Sequence, residues 1–345
     1  MMANDETKCA TESFGRRLSL RSALGAAALA LAACALALPA SAQQVLRAVS
    51  PWPKTFVITE SLLEYIEKVN EAGKGVVQIQ FAGGPEAIPA NDQGGALRRG
   101  AIDMYYGSSS YLSGLLPEVR AFGATNRSVP ELRANGGFDL LDGILQKKIN
   151  TKFLSNPDRG WAFYMLVTKE PKLNAKGGLD LTGVRMRSHP LYNEFLISVG
   201  ATPVVLQTTD IYTAFERGLV DGLAWPEIGA ADFKIEKFVK HRVYPAFYTS
   251  DIVTLINLDK WKSLTPAAQK ILMDVGMKHE AESHKKFEGL VLAEQKMLDA
   301  AGNKAFTLKG AGITDYLGKA DVLPWSQIEK VDPTNVKALR EKFMK

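Results

Sequence analysis

An α/β fold in two domains is expected from three features of the chain. Residues 183–227, GVRMRSHPLYNEFLISVGATPVVLQTTDIYTAFERGLVDGLAWPE, alternate short strand and short helix, the pattern of an α/β sheet with crossover connections. The length, 345 residues, is enough for two domains, each with its own core. Thr265 and Pro266 open a helical pattern that runs to about Ala301 with no further proline, long enough to span or brace both domains.

The elements follow in order. Val45 to Ser50 reads as a first strand, turned by Pro51-Trp52-Pro53, and Phe56 to Val69 as an amphipathic helix stopped at Gly73 and Gly75. Val76 to Phe81 alternates as a second strand, Gly83 to Ala90 is a loop, and a helix over 92–99 leads to a third strand, Ala101 to Tyr106. Residues 130–150 are mainly helical. Trp161 to Thr168 is an apolar strand and a first crossing between domains.

In the central stretch Arg185-Met186-Arg187 closes a strand, Leu191 to Val199 is a helix ended by Gly200, and Pro203 to Leu206 is a strand. Thr209 and Asp210 open a helix with Ile211, Phe215 and Leu219 on one face. Asp232 to Val239 looks helical, and Val243 to Asn257 reads as one strand crossing back. The tail holds a strand near Phe306 and a last helix after Asp332-Pro333.

The first 42 residues read as an export signal. Arg16, Arg17 and Arg21 precede an apolar run from Ala23 to Leu38, and Ala40-Ser41-Ala42 supplies the small residues of a cleavage site after Ala42. Arg16-Arg17-Leu18-Ser19-Leu20 is a weak twin-arginine pattern, and Leu31-Ala32-Ala33-Cys34 is like a lipoprotein box, so the route stays open. Both cysteines, Cys9 and Cys34, precede the cut. The mature chain then has no disulfide, thiol nucleophile or cysteine-ligated zinc.

The formal charge is +5; with the signal's +1 removed, about +4 remains. The basic residues are scattered and no nucleic-acid motif is present, so no nucleic acid is expected as partner. His189, His241, His279 and His284 are too far apart or wrongly spaced for a metal, and no Ser-His-Asp set, HExxH or phosphate-cradling glycine loop occurs. No catalytic residue, metal site or cofactor is assigned.

An arginine at the C-terminal end of an α/β strand points into the crevice where such folds bind ligands. Arg187 is that residue, and its planar guanidinium matches the two oxygens of a carboxylate.

The order G-V-R-M-R, P-L-Y, V-G-A-T-P, D-I-Y-T-A-F-E-R-G-L-V-D-G resembles the solute-binding proteins of TRAP transporters, the DctP-type family, with weaker similarity over nearly all of the mature chain. The resemblance implies a two-lobed periplasmic binding protein fold with hinge strands. It puts lobe I at 43–163 plus about 253–288 and lobe II at 164–252 plus about 289–345. It also implies periplasmic location, capture of an organic acid by a salt bridge to Arg187, closure by a hinge motion, and delivery to membrane permease subunits.

Val220-Asp221-Gly222-Leu223-Ala224-Trp225-Pro226 departs from the family's V-D-G-x-x-N-P. It is closer to the branch binding 2-oxo acids, which has Glu-Trp there, the glutamate helping to hold a metal ion between protein and substrate. Ala224 cannot do so, although Glu227 is nearby. Trp225 is read as an apolar pocket wall. Trp52, Ser108, Tyr111, Tyr164 and Thr208 are placed at the rim, with the loop hydroxyls after strand three as donors to a carboxylate. One arginine among aromatics suggests a monocarboxylate or a compact organic acid with an apolar or aromatic body. Two rival readings stay open: a periplasmic lyase or hydrolase, whose base near Arg187 would have to be Glu227 or Asp221, and a sensor module presenting ligand to a membrane receptor.

Overall fold

The computed structural model describes residues 43–345. The export signal and its cleavage site lie outside the described residues. No helix among those described is long and apolar enough to cross a membrane.

The chain builds one sheet, leaves it, builds a second and returns. β1 (Gln44–Val49) pairs in parallel with β2 (Val77–Gly83) and β3 (Met104–Ser108), and β4 (Thr151–Ser155) lies at the far edge. The second sheet holds β5 (Phe163–Val167), β8 (Arg185–Ser188), β9 (Thr202–Val205), β10 (Gly222–Pro226) and β11 (His241–Tyr244), with a small hairpin of β6 (Lys172–Leu173) and β7 (Leu179–Asp180) outside it. β12 (Ile252–Asn257) returns to the first sheet between β3 and β4, antiparallel to both, and β13 (Lys304–Thr307) edges the second.

The orders are β2-β1-β3-β12-β4 and β13-β11-β5-β10-β8-β9. β8 is parallel to β9 and β10, whereas β5 is antiparallel to β10 and β11. In each sheet, therefore, an antiparallel strand begins where its neighbour ends: Ile252 faces Ser108, and Phe163 faces Pro226. These ends supply the cavity described below.

The two crossings run beside each other. Phe163 N–H donates to Tyr248 O at 2.7 Å, Ser250 N–H to Trp161 O at 3.1 Å, and Arg159 Nη1 reaches Ser250 O at 2.8 Å. Gly160 is required in the first crossing: its φ is +97°, and a Cβ there would stand 2.9 Å from the His284 carbonyl of the helix Pro266–Ala300. That helix packs on the helix Val57–Ala72 from Leu272 to Lys286, and its far end reaches the second-sheet loop, where Glu294 accepts from Ala230 N–H at 2.6 Å. Thr265 caps it by accepting from Ala268 N–H.

Several elements differ from the sequence reading. Residues 243–257 form two strands in different sheets rather than one, because 245–251 belong to the crossing. β4 was not foreseen; Phe138 packs on its Phe153 with ring centroids 4.9 Å apart. Residues 232–239 form two short 3-10 turns. The helix after Asp210 ends at Glu216, so Leu219 is exposed. A helix Ala311–Val331 runs through Pro324, its Tyr316, Trp325 and Ile328 buried. The last helix, Val336–Phe343, sets Phe343 against Phe122 and Phe138 beside the first sheet, whereas 289–345 were expected with the second.

Candidate functional site

Strand ends from both sheets line one cavity. The first sheet gives Trp52, Ser108, Tyr111, Asp251 and Ile252; the second gives Phe163, Arg187, His189, Tyr192, Thr208, Trp225 and Pro226; Trp161 comes from the first crossing. The space free of protein atoms is about 390 Å³ with its open mouth included.

Arg187 is the central polar group. It is only 3 % exposed. Nε donates to Leu206 O at 3.2 Å, Nη1 to the Tyr192 hydroxyl at 2.7 Å, and Nη2 to Thr208 Oγ1 at 3.3 Å. A guanidinium has five N–H groups. Beyond these bonds one N–H remains on each terminal nitrogen, with the Tyr111 hydroxyl also beside the group, and a guanidinium can offer such N–H groups to a carboxylate in two-pronged fashion. No carboxylate among the described residues lies within ion-pair distance of it, and a buried cation without a counter-charge is costly.

Aromatic rings make the walls. Trp225 stands 6.0 Å from the Arg187 Cζ, close to Phe56 and Phe233. Trp52 packs on Phe56 and Tyr111 at 5.3 and 6.0 Å. The Tyr111 hydroxyl lies beside Arg187 and Thr208; burial raises its pKa and the Arg187 charge opposes that rise.

Of the eight residues singled out in the sequence, six meet here: Arg187, Trp225, Trp52, Ser108, Tyr111 and Thr208. Ser108 has another task than expected, since its hydroxyl donates to Asp251 Oδ2 at 2.6 Å. Tyr164 does not line the cavity. It is the cross-strand partner of Trp225 on β5, so β10 and Trp225 stand between it and Arg187, and its ring packs on Tyr244. Glu227 is also off the cavity, its carboxylate accepting from Ala162 N–H at 3.1 Å.

Sequence reasoning missed His189, Tyr192, Asp251, Phe56, Trp161 and Phe163. His189 and Tyr192 follow Arg187 so closely that the strand end already pointed to them. Asp251 carried a fainter signal, a charge set directly before the apolar run Ile252–Ile256. His189 Nδ1 accepts from Leu191 N–H at 3.3 Å, and Arg120 holds the loop through Pro190 O at 2.8 Å. Burial, with Arg187 and Arg120 nearby, pushes the His189 pKa well down, so the ring is neutral and its proton is on Nε2.

The bases needed for an enzymatic reading are committed elsewhere. Asp221 is held by Arg185 at 2.8 and 2.9 Å, and Glu227 by Ala162. A bridging cation would find one carboxylate in the lining, Asp251. Ala224 is a buried methyl, and no group of three or more metal-ligating side chains occurs among the described residues. The lining thus does not fit a cation held by a glutamate next to the tryptophan.

The model of DctP, bacterial extracellular solute-binding protein, family 7, matches residues 49–311. The chain belongs to the DctP family. This DctP chain is 25 % identical over 276 residues to the 2,3-diketo-L-gulonate-binding periplasmic protein YiaO of Escherichia coli, covering 74 % of this chain and 79 % of that one. It is 26 % identical over 275 residues to the monocarboxylate 2-oxoacid-binding periplasmic protein all3028 of Nostoc, covering 72 % and 71 %. Its fold matches that of a TRAP transporter solute-binding protein from Bordetella bronchiseptica with a TM-score of 0.77, at 20 % identity over 88 % of this chain and 91 % of that one; that protein holds copurified calcium and picolinate. The two-lobed α/β fold expected from the sequence is the fold of this family.

Proposed function

We propose that this chain is the periplasmic receptor of a TRAP transporter, capturing an organic acid between its two sheets and delivering it to membrane permease subunits. The observation that carries the reading is the buried guanidinium of Arg187, which no carboxylate among the described residues pairs and which keeps one N–H on each terminal nitrogen beyond those given to Tyr192 and Thr208. A carboxylate completes its ion pair and hydrogen bonds together. The names of the relatives fit, since diketogulonate, 2-oxo acids and picolinate are all carboxylates.

Lobe I would be the body around the first sheet and lobe II the body around the second. Ligand bridging the two stabilises the closed form by the contacts made only there. The aromatic walls suit a compact acid with an apolar or aromatic body. This reading needs no catalytic residue and no cation.

The test is a thermal-shift screen of the purified protein against 2-oxo acids, aromatic acids and C4-dicarboxylates, with and without calcium. A ligand of the folded state raises the melting temperature by mass action, roughly 2.7 kcal/mol at a hundred times Kd. A hit lost in Arg187→Ala supports the reading; hits indifferent to Arg187, or turnover of the bound acid, refute it.

A further inference from the structure

The cavity's polar lining is unbalanced in a way that restricts the ligand beyond its carboxylate. Four atoms of the lining residues are buried and have no hydrogen-bond partner among the described residues: Trp161 Nε1, Trp225 Nε1, His189 Nε2 and Asp251 Oδ1. The indole nitrogens can only donate. His189 Nε2 also donates, because its Nδ1 is taken by Leu191 N–H. Asp251 Oδ1 is the lone acceptor of the four.

Asp251 is held so that this oxygen is the one left over. Its side chain is fully buried at the end of the second crossing, directly before β12. Oδ2 accepts from Ser108 Oγ at 2.6 Å, from Ser110 N–H at 3.1 Å, and from Ser109 Oγ at 3.2 Å, a hydroxyl that also reaches Val119 O at 3.0 Å. The serine run after β3 is therefore a cradle that fixes the carboxylate's orientation. Arg187 is on the second sheet and Asp251 on the first, so a ligand touching both ties the sheets together.

We propose that the ligand is an organic acid that also bears an O–H or N–H donor, with its carboxylate on Arg187 and its donor on Asp251 Oδ1. The inference rests on the carboxylate reading given above. A plain alkanoate leaves Oδ1 desolvated and unpaired, and a buried acceptor without a partner is penalised more than a formed bond is rewarded. A hydroxy acid or a lactam acid satisfies Oδ1, while its remaining oxygen can accept from the indole or imidazole N–H groups. A 2-oxo acid offers those donors an acceptor but gives Asp251 nothing.

The experiment is calorimetric titration of the whole protein with acids matched in carbon skeleton: a 2-hydroxy acid against its 2-oxo and unsubstituted forms, and a five-membered lactam acid against cyclopentanecarboxylate. In at least one set the donor-bearing member should bind about tenfold tighter or more. Asp251→Asn supplies the second arm. Its amide oxygen takes the serine donors, which leaves the NH2 at the place of Oδ1 and turns the acceptor into a donor. The preference should then reverse toward the oxo acid. The ratio within a set is what is read, so the uniform gain from removing a negative charge cancels.

Equal binding within every set, a wild-type preference for the oxo or unsubstituted acid, an unchanged ratio in a folded Asp251→Asn, or binding that appears only with added calcium overturns the proposal. If Asp251→Asn does not fold, the wild-type sets decide. Arg187→Ala separates the two claims: loss of all acids with no preference within sets removes only the donor assignment, whereas undiminished binding in Arg187→Ala removes the carboxylate reading itself.

Discussion

The Tyr192 hydroxyl accepts a hydrogen bond from Arg187 Nη1 at 2.7 Å, five residues further along the same strand end. Thr208 and the Leu206 carbonyl hold the other two nitrogens. The guanidinium is thus oriented before any ligand arrives, which lowers the ordering cost of binding.

Tyr192→Phe keeps the ring against Phe163 and His189 and removes only the acceptor. Carboxylate affinity should fall by about 1.5–3 kcal/mol, the range for a hydrogen bond to a charged group. Titration calorimetry on the variant checks this; unchanged affinity would mean that Arg187 is oriented without Tyr192.

Trp225→Ala should destabilise the fold by about 3–5 kcal/mol, the usual range for truncating a buried tryptophan. It removes packing on Phe233 and Phe56 together with the ring beside Arg187. Urea denaturation measures the loss, and Trp225→Phe should retain much of the stability.

Tyr164→Phe and Glu227→Gln should leave ligand affinity within about twofold, because neither side chain lines the cavity and each change keeps the shape of the residue. Tyr164 is screened from Arg187 by Trp225, and Glu227 needs only an acceptor for Ala162 N–H. A large loss in either would place these residues at the ligand after all.

Stability should depend on pH through a buried cluster away from the cavity. Asp158 accepts from Ser61 and Tyr106 hydroxyls, both at 2.7 Å, and His279 Nε2 lies 3.1 Å from each of those oxygens. Burial lifts Asp158 to about 7 and lowers His279 to about 3, with Lys68 adding to the latter. The folded state holds the Asp158 proton where the unfolded chain does not, so this group's contribution falls as pH rises from about 4 to about 7. His279 acts in the opposite sense: its contribution is present above about 6.5 and is lost as pH falls toward 3. Asp158→Asn, tolerated at φ +55°, removes the first slope. Its melting temperature should therefore gain on wild type between pH 4 and 7, and a constant difference across that window would contradict the assignment.

Much of the site was legible because it lies in one continuous stretch. Arg187, Thr208 and Trp225 are carried by a local strand–helix–strand pattern, and local patterns are what periodicity reports. Asp251 and Trp161 were not, since they join the cavity only through pairing of the two crossings, a contact between residues some ninety positions apart. Tyr164 was misplaced for a related reason: its distance from Arg187 depends on the strand order β5-β10-β8, which no single strand's sequence states. The helix Ala311–Val331 escaped notice because Pro324 is a local stop signal that the burial of Tyr316, Trp325 and Ile328 overrides.

The most direct measurement is titration calorimetry of an organic acid found in the screen against wild type, Arg187→Ala and Arg187→Lys. Removing one partner of a buried charge pair costs about 2–5 kcal/mol, so Arg187→Ala should weaken binding by roughly thirtyfold or more. Arg187→Lys should recover only part, since an ammonium cannot make the planar two-pronged contact. Binding by Arg187→Ala as tight as wild type would contradict the account.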